Sequence, residues 1–131
     1  MDKQQLFDTV WERAKDKRKA GAPVLGHDFV CRYRYRYRYR APDGEVLKCF
    51  IGAAIPDDKY HPAMEGDSVH ALVLEHDFGS PVSDDIAERD AFIDFADDIQ
   101  DVHDKVGVDY WEGELRKLGY AHGLTVPPQE T

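Results

Sequence analysis

From Cys31 to Arg40 the chain reads Cys-Arg-Tyr-Arg-Tyr-Arg-Tyr-Arg-Tyr-Arg, an alternation that restricts its backbone more than any other stretch. In an extended chain successive side chains point to opposite sides. Cys31, Tyr33, Tyr35, Tyr37 and Tyr39 would then line one face, and Arg32, Arg34, Arg36, Arg38 and Arg40 the other. Such a ribbon offers a row of guanidinium groups to an acidic partner and a row of rings to a core or to unpaired bases. Its regularity is also that of low-complexity sequence, which expansion of a repeated unit produces without selection for a function.

The remainder of the chain is acidic. The 131 residues carry a formal net charge of −9, and since the ribbon supplies five arginines, the rest carries −14. Hydrophobic residues make up 42% and aromatic residues 11%, enough for a core in a single domain of this length. No apolar run approaches the roughly 20 residues needed to cross a bilayer, and the Met1-Asp2-Lys3-Gln4-Gln5 start has no apolar signal core. The expectation is a soluble cytoplasmic protein with no membrane partner. Two cysteines, Cys31 and Cys49, are too few for a disulfide scaffold and are expected as thiols.

Local signals divide the chain as follows. Residues 2 to 20 read as a helix, with Asp2 as cap, Gln5 three residues on, and Leu6, Phe7, Val10, Trp11 and Ala14 at helical spacing. Gly21-Ala22-Pro23 ends it. The ribbon, the Ala41-Pro42-Asp43-Gly44 turn and a second strand over 45–51 read as a β-hairpin. Residues 52–66, with Pro56 and Pro62, read as an ordered loop. A short helix over 68–76 follows Asp67. From Ser83 to Lys105, Ile86, Phe92, Phe95, Ala96, Ile99, Val102 and Val106 trace a helical stripe. Asp109 to Glu112 has capping-box spacing, Leu115 and Leu118 extend an apolar face, and Gly119 or Gly123 stops the last helix. The expected fold is α+β: a single compact domain over 1–124 with a β-hairpin packed against about four helices, and a flexible tail over 125–131.

Several of these residues together resemble a family of small, uncharacterised phage and prophage proteins. The resemblance is carried by Gly44, Lys48-Cys49, the Ile55-Pro56-Asp57-Asp58 stretch with Tyr60, Pro62 and Met64-Glu65-Gly66, the later Gln100 and His103-Asp104, and Trp111. It spans Cys31 to Leu124 and implies a phage-type origin and a compact α+β domain, with no established activity. In the family pattern one Tyr-Arg pair separates the first cysteine from the turn. Here Cys31 is displaced by six residues, about 20 Å along a strand, and Tyr37 takes the place opposite Cys49. An even displacement preserves facing, so the expansion lengthens the hairpin without flipping it. It also places a Cys31–Cys49 disulfide out of reach unless the chain doubles back.

Candidate sites fall into three classes. The first is the ribbon, with Arg32, Arg34, Arg36, Arg38, Arg40, Tyr33 and Tyr35 as binding residues for nucleic acid or an acidic host protein; its bland counterpart is neutralisation by the protein's own carboxylates. Its long edge also offers a second copy a strand to pair with, giving a homodimer. The second is the acidic helix, where Asp94, Asp97, Asp98 and Asp101 imitate a phosphate backbone and inhibit a host defence or nucleic-acid enzyme; its bland counterpart is a solvated helix face. The third is catalytic. His103 beside Gln100 and Asp104 would serve a small hydrolase-type enzyme as acid–base, or else hold the proline-rich loop.

The loop residues Pro56, Asp57, Tyr60, Glu65 and Gly66 read as structural. Asp57, Asp58 and Glu65 could offer oxygens to a hard cation, but carboxylates in a rigid turn cap backbone amides equally well. Cys49, His61, His70, His76, His103 and His122 lack paired zinc-ligand spacing, and neither Cys49 nor Ser68 lies in a nucleophile elbow. Asp77-Phe78-Gly79 matches a kinase tripeptide without the companion motifs. No metal and no cofactor is expected. The favoured reading is a non-enzymatic phage-type accessory protein that binds a host macromolecule through the Arg/Tyr ribbon.

Overall fold

Asp2 starts the first helix, α1 (Lys3–Ala14): its Oδ1 accepts from the Gln5 amide at 2.9 Å, while Gln5 Oε1 accepts from the Asp2 amide at 2.9 Å. The reciprocal pair satisfies two of the donors that a helix N-terminus leaves open. Leu6, Phe7, Val10 and Trp11 then fall on one side and are all buried. The computed structural model describes residues 1–15, 38–40, 46–56, 58–61, 64, 68–75 and 83–128. The continuation of the first helix to residue 20, and ribbon positions 31–37, lie outside the described residues.

Strands β1 (Arg38–Arg40) and β2 (Val46–Lys48) pair antiparallel, with Arg38 opposite Lys48, Tyr39 opposite Leu47 and Arg40 opposite Val46. This pairing is all the β-structure among the described residues, and it overturns the expected α+β fold. Three residues a side do not make a layer, and the described core is built by helices and the loops between them. The fold is predominantly helical, not a β-hairpin packed against helices.

The reason is visible at Cys49. Its Sγ accepts from the Gly52 amide at 3.3 Å and caps a helical turn, α2 (Phe50–Ala53), where a strand was expected to run on to Ile51. A short apolar run such as Phe50-Ile51-Gly52-Ala53 is compatible with either state, and tertiary partners decide. Both Phe50 and Ile51 are buried. The chain then turns at Pro56, whose carbonyl accepts from the Lys59 and Tyr60 amides at 3.0 and 3.1 Å.

The third helix, α3 (Val69–Glu75), begins at Ser68, whose Oγ accepts from the Ala71 amide at 3.1 Å. Asp67, the expected cap, lies outside the described residues. α3 packs on α4 (Ile86–Lys105), the longest helix, started by Asp85 Oδ1 accepting from the Glu88 amide at 2.9 Å. Phe92, Ile93, Phe95, Ala96, Ile99 and Val102 form its buried stripe.

A single 3-10 turn over Val108–Tyr110 leads into α5 (Trp111–Ala121). The capping box expected at Asp109 and Glu112 does not form; the helix starts at Tyr110 with no side-chain cap bond. Trp111 Nε1 instead donates to the Val106 carbonyl at 3.0 Å and fixes the approach. Gly123, at φ +69°, is the left-handed residue that ends the helix region. Gly119 lies inside α5 for a different reason: a Cβ there would stand 2.6 Å from Val126 Cγ2 and 3.0 Å from Phe7 Cε2.

Helices α1, α2, α4 and α5 converge on Phe7, Trp11, Phe50, Phe95, Ile99, Trp111 and Leu115. Phe50 meets Trp111 edge to face at 4.8 Å between ring centroids, and Phe7 stacks on Trp11 at 5.8 Å. Arg116 lies over the Trp11 ring at 5.1 Å while its Nη2 donates to Glu112 at 3.1 Å. Stacked this way, its guanidinium and aliphatic stem cover the outer edge of the core. Among the described residues no helix is long and apolar enough to cross a membrane.

Candidate functional site

Helix α4 divides its polar residues between two faces with different surroundings. Toward the interior, Gln100 is fully buried and His103 is 4% exposed. Gln100 Oε1 accepts from the Ile51 amide at 3.2 Å, and its Nε2 donates to Asp104 Oδ1 at 3.2 Å. The same Oδ1 lies 3.0 Å from His103 Nδ1. A carboxylate can only accept, so Nδ1 carries the proton in this contact. The imidazole stacks on Trp111 at 5.3 Å and meets the edge of Phe50 at 5.1 Å.

The arrangement ties three elements together. Ile51 lies in the first turn of α2, where backbone donors have no helical acceptor. Gln100 supplies one from α4, and Cys49 Sγ supplies another to Gly52. Buried polar groups matched in this way fix the angle of α2 against α4 and add packing through the His103 ring.

Toward solvent, α4 carries Asp90, Asp94, Asp97 and Asp98, all exposed, and the half-exposed Asp101. Steps of three and four residues bring these carboxylates onto one side of the helix. They extend over about 16 Å at about 1.5 Å per residue. Lys105 pairs with Asp101 at 3.3 Å, with both side chains largely in solvent. Among the described residues no ion pair reaches Asp90, Asp94, Asp97 or Asp98.

The other predicted residues are distributed as follows. Arg32, Tyr33, Arg34, Tyr35 and Arg36 lie outside the described residues, as do Asp57, Glu65 and Gly66; Arg38 and Arg40 are described only as backbone in β1. Pro56 forms its turn, Tyr60 packs against the core and Met64 is buried. Asp58 and His61 are exposed, and Cys49 is buried. No group of three or more metal-ligating side chains gathers among the described residues.

One polar cluster has no local signature in the sequence. Lys3 Nζ lies 3.2 Å from His122 Nδ1, and the Gln4 amide makes two bonds to Thr125, accepting from its N–H at 2.8 Å and donating to its carbonyl at 3.0 Å. The His122 pKa is held below the ordinary value, first by partial burial and next by the Lys3 charge, with Asp98 acting against them. These contacts join residues more than a hundred positions apart, beyond the reach of spacing rules. No protein-family model, curated protein or solved structure matches this chain.

Proposed function

We propose that this chain is a non-enzymatic binding protein whose contact surface is the acidic outer face of α4, and that its partner is a basic, nucleic-acid-binding surface on a host protein. The observation that carries the reading is the row of Asp90, Asp94, Asp97 and Asp98, exposed and unpaired by any described cation. Like charges held along one rigid helix repel one another, and a cationic partner surface relieves that repulsion. Their separations of about 5–6 Å between neighbouring turns suit a surface built to receive successive phosphates. The resemblance to small phage proteins supplies the host as the place to look.

The burial of His103 between Phe50 and Trp111 favours a structural role for that residue over acid–base catalysis. The Arg/Tyr ribbon remains a second contact surface, favoured by its charge alone.

Competition distinguishes the two surfaces. Host nucleic-acid-binding enzymes, each holding a short fluorescent DNA duplex, are titrated with the protein across about 50–200 mM salt. Displacement that fails at high salt, and is lost when Asp94, Asp97, Asp98 and Asp101 become Asn, supports the acidic face. Direct saturable binding of the protein to DNA or RNA, weakened when Arg34, Arg36 and Arg38 become Gln, would move the function to the ribbon. Neither behaviour would overturn both assignments.

A further inference from the structure

The two ends of the described fold are tied by a side-chain seam, and one of its ties depends on a neutral imidazole. Lys3 Nζ is a donor only, so its 3.2 Å contact with His122 requires the lone pair of Nδ1. The residue after His122 is Gly123, where φ +69° redirects the chain. From there Leu124 and Val126 pack against the core, Val126 lies against Gly119, and Thr125 is held by Gln4. Leu124 also lines an open groove of about 450 Å³ together with Met1, Lys3, Gln4, Ala91 and Phe92.

We propose that residues 123–128 are a strap latched to the N-terminus of α1, and that adding a proton to His122 releases the latch and widens the groove that Leu124 borders.

With a second proton the ring turns a donor toward the Lys3 ammonium, so the hydrogen bond is lost and two cations face each other. From α1 the charged neighbour is Lys3; from α4 it is Asp98, which favours the cation. The Phe95 ring lies edge-on at 4.7 Å and limits where the imidazole can withdraw. Partial burial and Lys3 together outweigh Asp98, so the ring is neutral and the strap latched at neutral pH. Once the latch fails, the strap keeps the bonds of its first two amides, from Gly123 to the Tyr120 carbonyl and from Leu124 to the Gly119 carbonyl, and beyond them the Gln4–Thr125 bonds and the packing of Leu124 and Val126. A terminal segment held by so few contacts opens locally at much lower cost than the helical core.

Amide hydrogen exchange of the full chain, corrected for intrinsic rates and followed from about pH 8 to about pH 5 across the histidine range, tests this. The Thr125 amide is expected to lose protection several-fold on the acid side while Ile99 keeps its own. His122→Gln and Lys3→Gln should each make Thr125 protection independent of pH, since glutamine can offer a donor or an acceptor without a charge. Constant Thr125 protection in the wild type would overturn the proposal. So would an equal acid loss in His122→Gln, or a parallel loss at Ile99 that marks global unfolding.

Discussion

His103 and His122 lie on or beside successive helices, each against aromatic rings and each bonded to a charged side chain, yet their settings differ in one respect. His103 donates to Asp104 within a buried network that continues through Gln100 to the Ile51 amide. His122 accepts from Lys3 at a half-exposed seam between the chain's ends. An imidazole facing a carboxylate keeps its contact when protonated, whereas one facing an ammonium loses it. The same residue type is therefore a fixed strut in one place and an adjustable tie in the other.

If the His103 cluster is a strut, damage to it should register in global stability. Trp111→Ala removes the ring stacked on His103 and edged by Phe50, at a site 1% exposed, and should cost about 3–5 kcal/mol in urea unfolding. A loss below about 1 kcal/mol would mean that the aromatic cluster packs loosely, and the strut reading would fail. Gln100→Ala asks a narrower question. It leaves the Ile51 amide and Asp104 each short of a partner and should cost about 1–3 kcal/mol, with α2 amides losing exchange protection before those of α1. Simultaneous loss in α1 and α2 would show that Gln100 braces the whole core and not one joint.

At the seam a substitution tests packing in place of charge. Gly119→Ala puts a methyl group against Val126 and the buried Phe7 ring, and should cost toward the low end of about 1–3 kcal/mol because Val126 belongs to the strap and can yield. Calorimetry should show a lowered Tm, and exchange at Thr125 should rise. A cost matching that of Trp111→Ala would make the strap part of the core and erase the contrast.

What the sequence allowed one to read follows the range of the interactions. Asp2 with Gln5, and the Phe92 to Val102 stripe, are local patterns, and both appear as the spacing requires. The acidic face of α4 was legible for the same reason, since composition and steps of three and four place it. Phe50 and Ile51 read as the end of a strand because so short an apolar run suits either state, and the partners that decide for a helical turn over Phe50–Ala53 are Cys49 Sγ and a glutamine 49 positions away from Ile51. The alternating ribbon had suggested a β-layer, yet the described pairing runs for three residues a side while helices supply the core. Asp109 and Glu112 have the spacing of a capping box, but the Trp111 indole anchored on Val106 sets the start of α5 instead. Lys3 and His122 gave no signal because nothing in either neighbourhood points to the other.

The smallest expected effect tests the adjustable tie most directly. Because the fold holds the His122 pKa below about 6.5, the unfolded chain takes up a proton on this residue at a higher pH than the folded one does. Between the lowered folded value and about 6.5, the unfolded state therefore binds more protons, and stability rises with pH. The contribution is complete above that window, declines as pH falls through it, and levels off below the folded pKa. Urea midpoints measured across the window should show this slope in the wild type and a reduced one in His122→Gln, with m unchanged. A wild-type slope of the opposite sign that vanishes in His122→Gln would place a net anionic environment around His122, with Asp98 outweighing Lys3, and would reverse the roles assigned to the two histidines.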